Sequence, residues 1–119
     1  MWPLRLSFRQ RQGQLGEQRA RDYLERQGLV LVEENFRCKG GEIDLILRDG
    51  AALVFVEVRQ RACGSHGGAA ASITASKRRR IVCAAQFYLL RCKRLPPCRI
   101  DVVAIDGEAI DWLRDAIQV

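Results

Sequence analysis

Two acidic residues, Asp44 and Glu57, stand inside strongly apolar runs, "EIDLILR" over 42–48 and "ALVFVEVR" over 52–59. Asp is depleted in strands, and a charged group among Val, Leu and Ile carries a desolvation cost. Two carboxylates held close together also raise each other's pKa and resist joint ionisation. A divalent cation between them removes both difficulties, and Mg²⁺ prefers carboxylate oxygens plus water. The alternative is that the acids line the solvated side of a half-exposed sheet, where such residues are ordinary. Arg59 lies two residues past Glu57, so it shares that face of the strand and offers a cation for phosphate charge. Glu17 adds an acid from the first turn of a helix, where it can equally compensate the helix dipole.

Local patterns say which elements carry these residues. Leu15, Ala20, Tyr23 and Leu24 recur at helical spacing, and Gly28 stops that helix. "LVLVEENFR" (29–37) reads as a strand, "CKGGE" as a break, and 42–48 and 52–59 as two strands joined at Asp49-Gly50. "QRACGSHGGAAAS" (60–72) has the composition of a loop. Thr74 is placed to cap a second helix that runs to about Cys92, with Ile81, Val82, Ala85, Tyr88, Leu89 and Cys92 on its apolar face. "RIDVVAI" (99–105) is a fourth strand, and "IDWLRDAI" is a short strand or a terminal helix. The order α-β-β-β-α-β gives an α/β fold, one mixed sheet flanked by helices. Residues 1–12 read as a basic arm or short strand, and 13–119 as one domain.

A two-residue turn at 49–50 pairs Arg48 with Ala51, sets Asp44 opposite Phe55 and sets Glu57 opposite Glu42. Asp44 and Glu57 then become diagonal neighbours on one face, about 7–8 Å apart or less.

Composition narrows the class. The chain has 119 residues, 48% of them hydrophobic, enough for one compact core. No apolar run approaches the ~20 residues that span a bilayer, and the N-terminus has no apolar signal segment. No membrane association and a cytoplasmic location are therefore expected. The net charge of +6 suits a polyanionic partner, most simply nucleic acid, and equally an indifferent basic surface; charge alone leaves the two about even. Arg37, Lys39, Lys77, Arg78, Arg79 and Arg80 are the phosphate-binding candidates; the last four circle one helical turn and also suit a solvated helix end. Aromatic residues make up only 7%, which argues against base stacking along single strands. Cysteines at 38, 63, 83, 92 and 98 form no CxxC and no zinc spacing. They read as free thiols, with Cys83 and Cys92 buried on the second helix, and His66 reads as a loop residue.

The segments "GEQRARDYLERQGLVLVEENFRCKGGEIDLILRDGAALVFVEVRQR", "GGAAASITASKRRRI" and "CRIDVVAID" resemble the YraN family of endonuclease-like bacterial proteins over residues 13 to about 113. That family is similar to Holliday-junction resolvases and the wider PD-(D/E)xK nuclease superfamily. The resemblance implies a restriction-endonuclease-like core and a Mg²⁺- or Mn²⁺-dependent DNA endonuclease acting at branched or recombination structures, with a homodimer as the working unit. It implies Asp44, Glu57 and the Val58 carbonyl as metal ligands, with Glu17 an outer ligand or water-orienting residue. Arg59 occupies the motif's lysine position. Arginine cannot be deprotonated at working pH, so Arg59 is expected on the phosphate, while water acidified by the cation supplies the nucleophile. Lys77 is the substitute amine, although the sequence does not place it near the acids. The departure at Arg59 also supports a different class, a nucleic-acid-binding adaptor that kept the fold and lost turnover. A basic structural domain with no nucleic-acid role is the third reading.

Overall fold

The computed structural model describes residues 8–61 and 73–118. Most of the expected N-terminal arm and the segment holding Cys63 and His66 lie outside the described residues.

Helix α1, Phe8–Arg26, begins well before Leu15 and takes in residues 8–12 of the expected arm. Arg and Gln dominate its first turns; they are good helix formers but carry no apolar stripe to announce the helix. Its end is a Schellman motif. The Leu29 N–H donates to the Leu24 carbonyl at 3.1 Å and the Gly28 N–H to that of Glu25 at 3.0 Å. Gly28 takes φ +98, and Leu24 and Leu29 pack in one cluster.

Strands β1 (Val30–Cys38), β2 (Gly41–Asp49) and β3 (Ala52–Arg61) form an antiparallel meander. Helix α2 (Ala75–Leu89) then crosses over to β4 (Cys98–Asp106), which lies parallel to β3. A parallel neighbour requires such a crossover. The C-terminal segment is a strand, β5 (Ala109–Ile117), antiparallel to β4. The sheet order is β1-β2-β3-β4-β5.

The sheet is sandwiched. Ala20 and Leu24 of α1 pack on Leu45, Leu47, Val54, Val56, Val103 and Ile105. On the other face, Ile81, Ala84 and Ala85 of α2 meet Ile46, Phe55, Ile100 and Val102. Covering both faces explains the nearly continuous apolar runs of the central strands. It also rules out the half-exposed sheet for Glu57, which is 2% exposed. The architecture is compatible with a restriction-endonuclease-like core. No described helix is long and apolar enough to cross a membrane.

Three expectations need correction. Glu17 lies in the middle of α1 and not in its first turn, because the helix begins at Phe8. The β2–β3 turn is Gly50-Ala51, with Asp49 paired to Ala52 and Arg48 to Leu53 rather than to Ala51. Gly50, at φ +61, takes the first loop position because the left-handed backbone there suits glycine. The slip moves each partner by two residues, so the same-face assignments survive while the opposed pairs change. Asp44 therefore does not face Phe55. The third correction concerns the thiols: Cys83 is exposed, and Cys92 lies half-buried beyond the end of α2.

Candidate active site

The site begins where the sheet forks. The β2–β3 ladder runs from Asp49↔Ala52 to Leu45↔Val56. Beyond it, β2 stays paired to β1 from Gly41 to Ile43, while β3 stays paired to β4 through Arg61. Backbone groups at the fork lose their ladder partners and must find others. Asp44 supplies one. Its Oδ2 accepts the Val58 N–H at 2.8 Å, so the carboxylate stands in for a ladder carbonyl.

Glu57, next to Val58 in the chain, points the same way. The described chain buries two carboxylates in full, Glu57 and Asp101, and they differ in what surrounds them. Asp101 accepts the Arg99 Nε–H at 3.0 and 3.1 Å, the Trp112 Nε1–H at 2.9 Å and the Asp115 N–H at 2.9 Å. That carboxylate is fully satisfied and locks the irregular stretch of β5, where Asp115 takes φ 51. In contrast, Oε2 of Glu57 is buried with no hydrogen-bond partner. The Asp44 and Glu57 carboxyls are close enough to share a hydrogen bond, which forms only when one of the two holds a proton. An ionised, buried, unpartnered oxygen is costly.

The pKa values express that cost. Burial, then the Asp44 charge, push Glu57 from 4.5 up to about 8, against the pull of Lys77 and Arg59. Asp44 is also raised, chiefly by burial, with the Val58 N–H opposing. Glu17, on α1, is lifted from 4.5 to about 7 by burial first and the Asp44 charge second, while a hydrogen bond from the Asn35 side chain lowers it. Three carboxyls thus share one poorly solvated region and hold protons more tightly than free carboxyls do.

Close packing of the helices sets their placement. At Gly16 a Cβ would overlap the Gln60 side-chain amide, so α1 runs close to β3 there, while its neighbour Glu17 lies near Asp44 of β2 and Asn35 of β1. At Gly41 a Cβ would overlap the Arg80 carbonyl. That glycine seats the N-terminal turns of α2 directly on the start of β2. Thr74 caps α2 as expected, accepting the Lys77 N–H at 3.1 Å. Lys77 consequently enters the site, with Nζ 3.3 Å from Glu42 Oε1 and 3.6 Å from Glu57 Oε1. Arg59 also approaches that oxygen, with Nη1 4.0 Å from Glu57 Oε1.

The remaining basic candidates spread outward. Arg37 is exposed, with Nε 3.8 Å from Glu42 Oε2, and Lys39 is exposed on the β1–β2 turn. Arg80 is also exposed, and its backbone carries the Gly41 contact. Arg78 and Arg79 border a groove of about 590 Å³ between α2 and the end of β5, away from the carboxylates. Two participants went unread in the sequence. In the sequence Glu42 figures only as the residue opposite Glu57, with no role of its own. Asn35 adopts φ 52 in the middle of β1, a conformation Asn tolerates better than most residues, and an Asn in a strand was the available signal.

Among the described residues no group of three or more His, Cys, Asp or Glu side chains converges on one point. The donor set is instead a carboxylate pair with a spare buried oxygen, to which the Val58 carbonyl, water and a substrate oxygen could add. It fits a hard divalent cation such as Mg²⁺, which usually keeps several waters and takes one or two carboxylates.

Residues 16–105 match the Uncharacterised protein family UPF0102. The chain is 57% identical to a UPF0102 protein of Herminiimonas arsenicoxydans over 110 residues, covering 92% of this chain and 89% of that one. It is 60% identical to a UPF0102 protein of Cupriavidus metallidurans over 110 residues, 92% and 82% of the two chains. With a UPF0102 protein of Dechloromonas aromatica it shares 62% over 104 residues, 87% and 86% of the two chains. The family match spans most of the chain, site included, and the protein belongs to the UPF0102 (YraN) family.

Proposed function

We propose that this protein is a metal-dependent endonuclease that hydrolyses DNA phosphodiester bonds. The observation that carries the reading is Glu57: a buried carboxylate at the fork of the sheet, one oxygen unpartnered, beside Asp44 and ringed by cations. A structural carboxylate in this fold looks like Asp101, with hydrogen bonds to both of its oxygens. Asp44, Glu57 and the Val58 carbonyl would hold Mg²⁺ or Mn²⁺, with Glu17 as an outer group. Bound there, the cation supplies Lewis-acid polarisation of a phosphoryl oxygen and acidifies water. The chain's own residues do the rest. Arg59 binds the scissile phosphate and opposes the charge that develops on it. Glu17 orients water at the edge of the site. Arg37, Lys39 and Arg78–Arg80 track the backbone through phosphate contacts, which position the substrate without reading its sequence. Branched DNA is the proposed preferred substrate, and since two strands must then be cut, a homodimer is the proposed working unit.

Cleavage and gel-shift on a shared panel test this: four-way junction, flap, duplex, single-stranded DNA and RNA, with Mg²⁺ or Mn²⁺. Cutting that needs the cation and disappears in Glu57→Ala, while binding persists, is the expected result. Arg59 favours one other reading, a binding adaptor without turnover, because arginine cannot exchange a proton as the motif's lysine can. Salt-sensitive binding with no cutting by wild type or Arg59→Lys would establish the adaptor.

A further inference from the structure

Lys77 is held in place more firmly than a surface lysine needs to be. Thr74 caps its backbone N–H at 3.1 Å. The Gly41–Arg80 contact fixes its helix against β2. Its side chain is 24% exposed and lies between two carboxylates, Glu42 and Glu57, at 3.3 and 3.6 Å. The first turn of α2 contains no acid, so an ammonium there also stands against the helix dipole. The carboxylates are what make that position favourable. Glu42 is the more open of the two, 33% exposed against 3% for Glu57, and its second oxygen faces Arg37 at 3.8 Å.

We propose that Lys77 is the resident counter-ion of the Asp44–Glu57 pair and that Glu42 is its receiver. A divalent cation binding between Asp44 and Glu57 displaces the ammonium from Glu57 and leaves it on Glu42, facing the mouth of the site. The inference rests on the metal-dependent reading above. Lys77 then has two successive roles: it partly neutralises buried charge before the metal arrives, and afterwards it donates to an incoming phosphate. Glu42 is a positioning residue, acting through Lys77 and never touching the cation. The exchange also selects for double charge, since a monovalent ion gains little by replacing an ammonium already bonded to both acids.

Mn²⁺ affinity of the full chain, read by the electron paramagnetic resonance signal of free Mn²⁺ without nucleic acid, tests the proposal. Lys77→Met should bind Mn²⁺ roughly tenfold more tightly than wild type, since the competing charge is gone. Lys77→Arg should stay near wild type. Glu42→Gln should weaken binding several-fold in the wild-type background and have little effect in the Lys77→Met background, the signature of coupling through Lys77. Equal affinities for wild type and Lys77→Met overturn the displacement while leaving the metal site standing. Additive effects of Glu42→Gln and Lys77→Met overturn the part given to Glu42. No Mn²⁺ binding by any variant overturns this proposal and the metal-dependent reading together. The lysines are Lys39, Lys77 and Lys93, so side-chain NMR of the unsubstituted protein gives an independent check. Saturating Mg²⁺ should move the Lys77 Cε and Hε resonances, and a Lys77 signal that stays still overturns the displacement.

Discussion

Glu57→Gln should stabilise the metal-free protein at neutral and alkaline pH, an unusual direction for a substitution at a 2%-exposed position. Burial is the largest cause of its rise from 4.5 to about 8, followed by the Asp44 charge. A carboxyl whose folded pKa exceeds its unfolded value costs nothing below the unfolded pKa, where both states are protonated. Stability is then lost as the pH climbs towards the folded value, because only the unfolded chain ionises freely. At ~1.4 kcal/mol per pH unit, the loss reaches on the order of 3 kcal/mol by pH 7. Gln keeps the shape and never ionises, so it removes this loss. Urea denaturation in EDTA from pH 4.5 to 8.5 should show the two proteins nearly equal at the acid end. By pH 7 the variant should lead by ~3 kcal/mol, which is roughly 10 °C in Tm for a domain of this size. Added Mg²⁺ should reverse the order, since a ligand that binds only the folded carboxylate form stabilises wild type alone. A Glu57→Gln protein less stable at every pH would refute the reasoning, as would a difference that does not vary with pH. Glu57 would then be a satisfied structural carboxylate of the Asp101 kind.

Asp101→Asn should show the opposite sign. An amide cannot accept from Arg99, Trp112 and Asp115 together, and Arg99 loses its buried counter-charge, so thermal unfolding should report a loss of ~3–4 kcal/mol. A change below ~1 kcal/mol would mean that β5 is held by other contacts. Gly41→Ala forces a methyl group into the Arg80 carbonyl, and the backbone of α2 must shift at a cost of ~1–3 kcal/mol, visible as a lower Tm. An unchanged Tm would show that the N-terminus of α2 is not fixed at this contact. Arg59→Lys tests what the departure from the motif does to turnover. A lysine that can exchange a proton should raise single-turnover cleavage by up to ~10²-fold, the low end of what a positioned acid–base group contributes. An unchanged rate would mean that the arginine needs only to hold the phosphate.

The central strands were legible because burial on both faces leaves long apolar runs, and because Gly28 and Thr74 punctuate the helices with local chemistry. The start of α1 was not, since "FRQRQGQ" satisfies helix propensity without the periodic apolar stripe that betrays a helix. Register failed for a subtler reason. Asp-Gly suits two hairpin frames, and only the conformation of Gly50 decides that the loop is Gly50-Ala51. Cys83 was misread because apolar spacing gives a face but not its rotation against the sheet; the buried residues of α2 are Ile81, Ala84 and Ala85. Lys77 could be named as a candidate amine but not placed. Its approach to Glu57 depends on a crossover helix whose seat is fixed by Gly41, a glycine that looked like part of a turn.

The fork also frees the spacing of the two carboxylates from the fixed geometry of a ladder. Within a continuous antiparallel ladder, opposed side chains sit at a fixed spacing of about 4.5–5.5 Å and every backbone group is already used. Past Leu45↔Val56 that constraint ends, and each strand is held from its far side, β2 by β1 and β3 by β4. The separation of Asp44 from Glu57 is therefore set by how far the strands splay, a quantity that packing can tune without breaking the sheet. Splaying frees the Val58 N–H, and Asp44 is anchored by accepting it. No comparable donor reaches Oε2 of Glu57. One acid is thus fixed by the backbone, while its neighbour keeps an open coordination position on a strand still paired to β4. That asymmetry separates a site from a pair of buried acids, because it supplies a preorganised ligand and a reason for the metal-free state to remain incomplete.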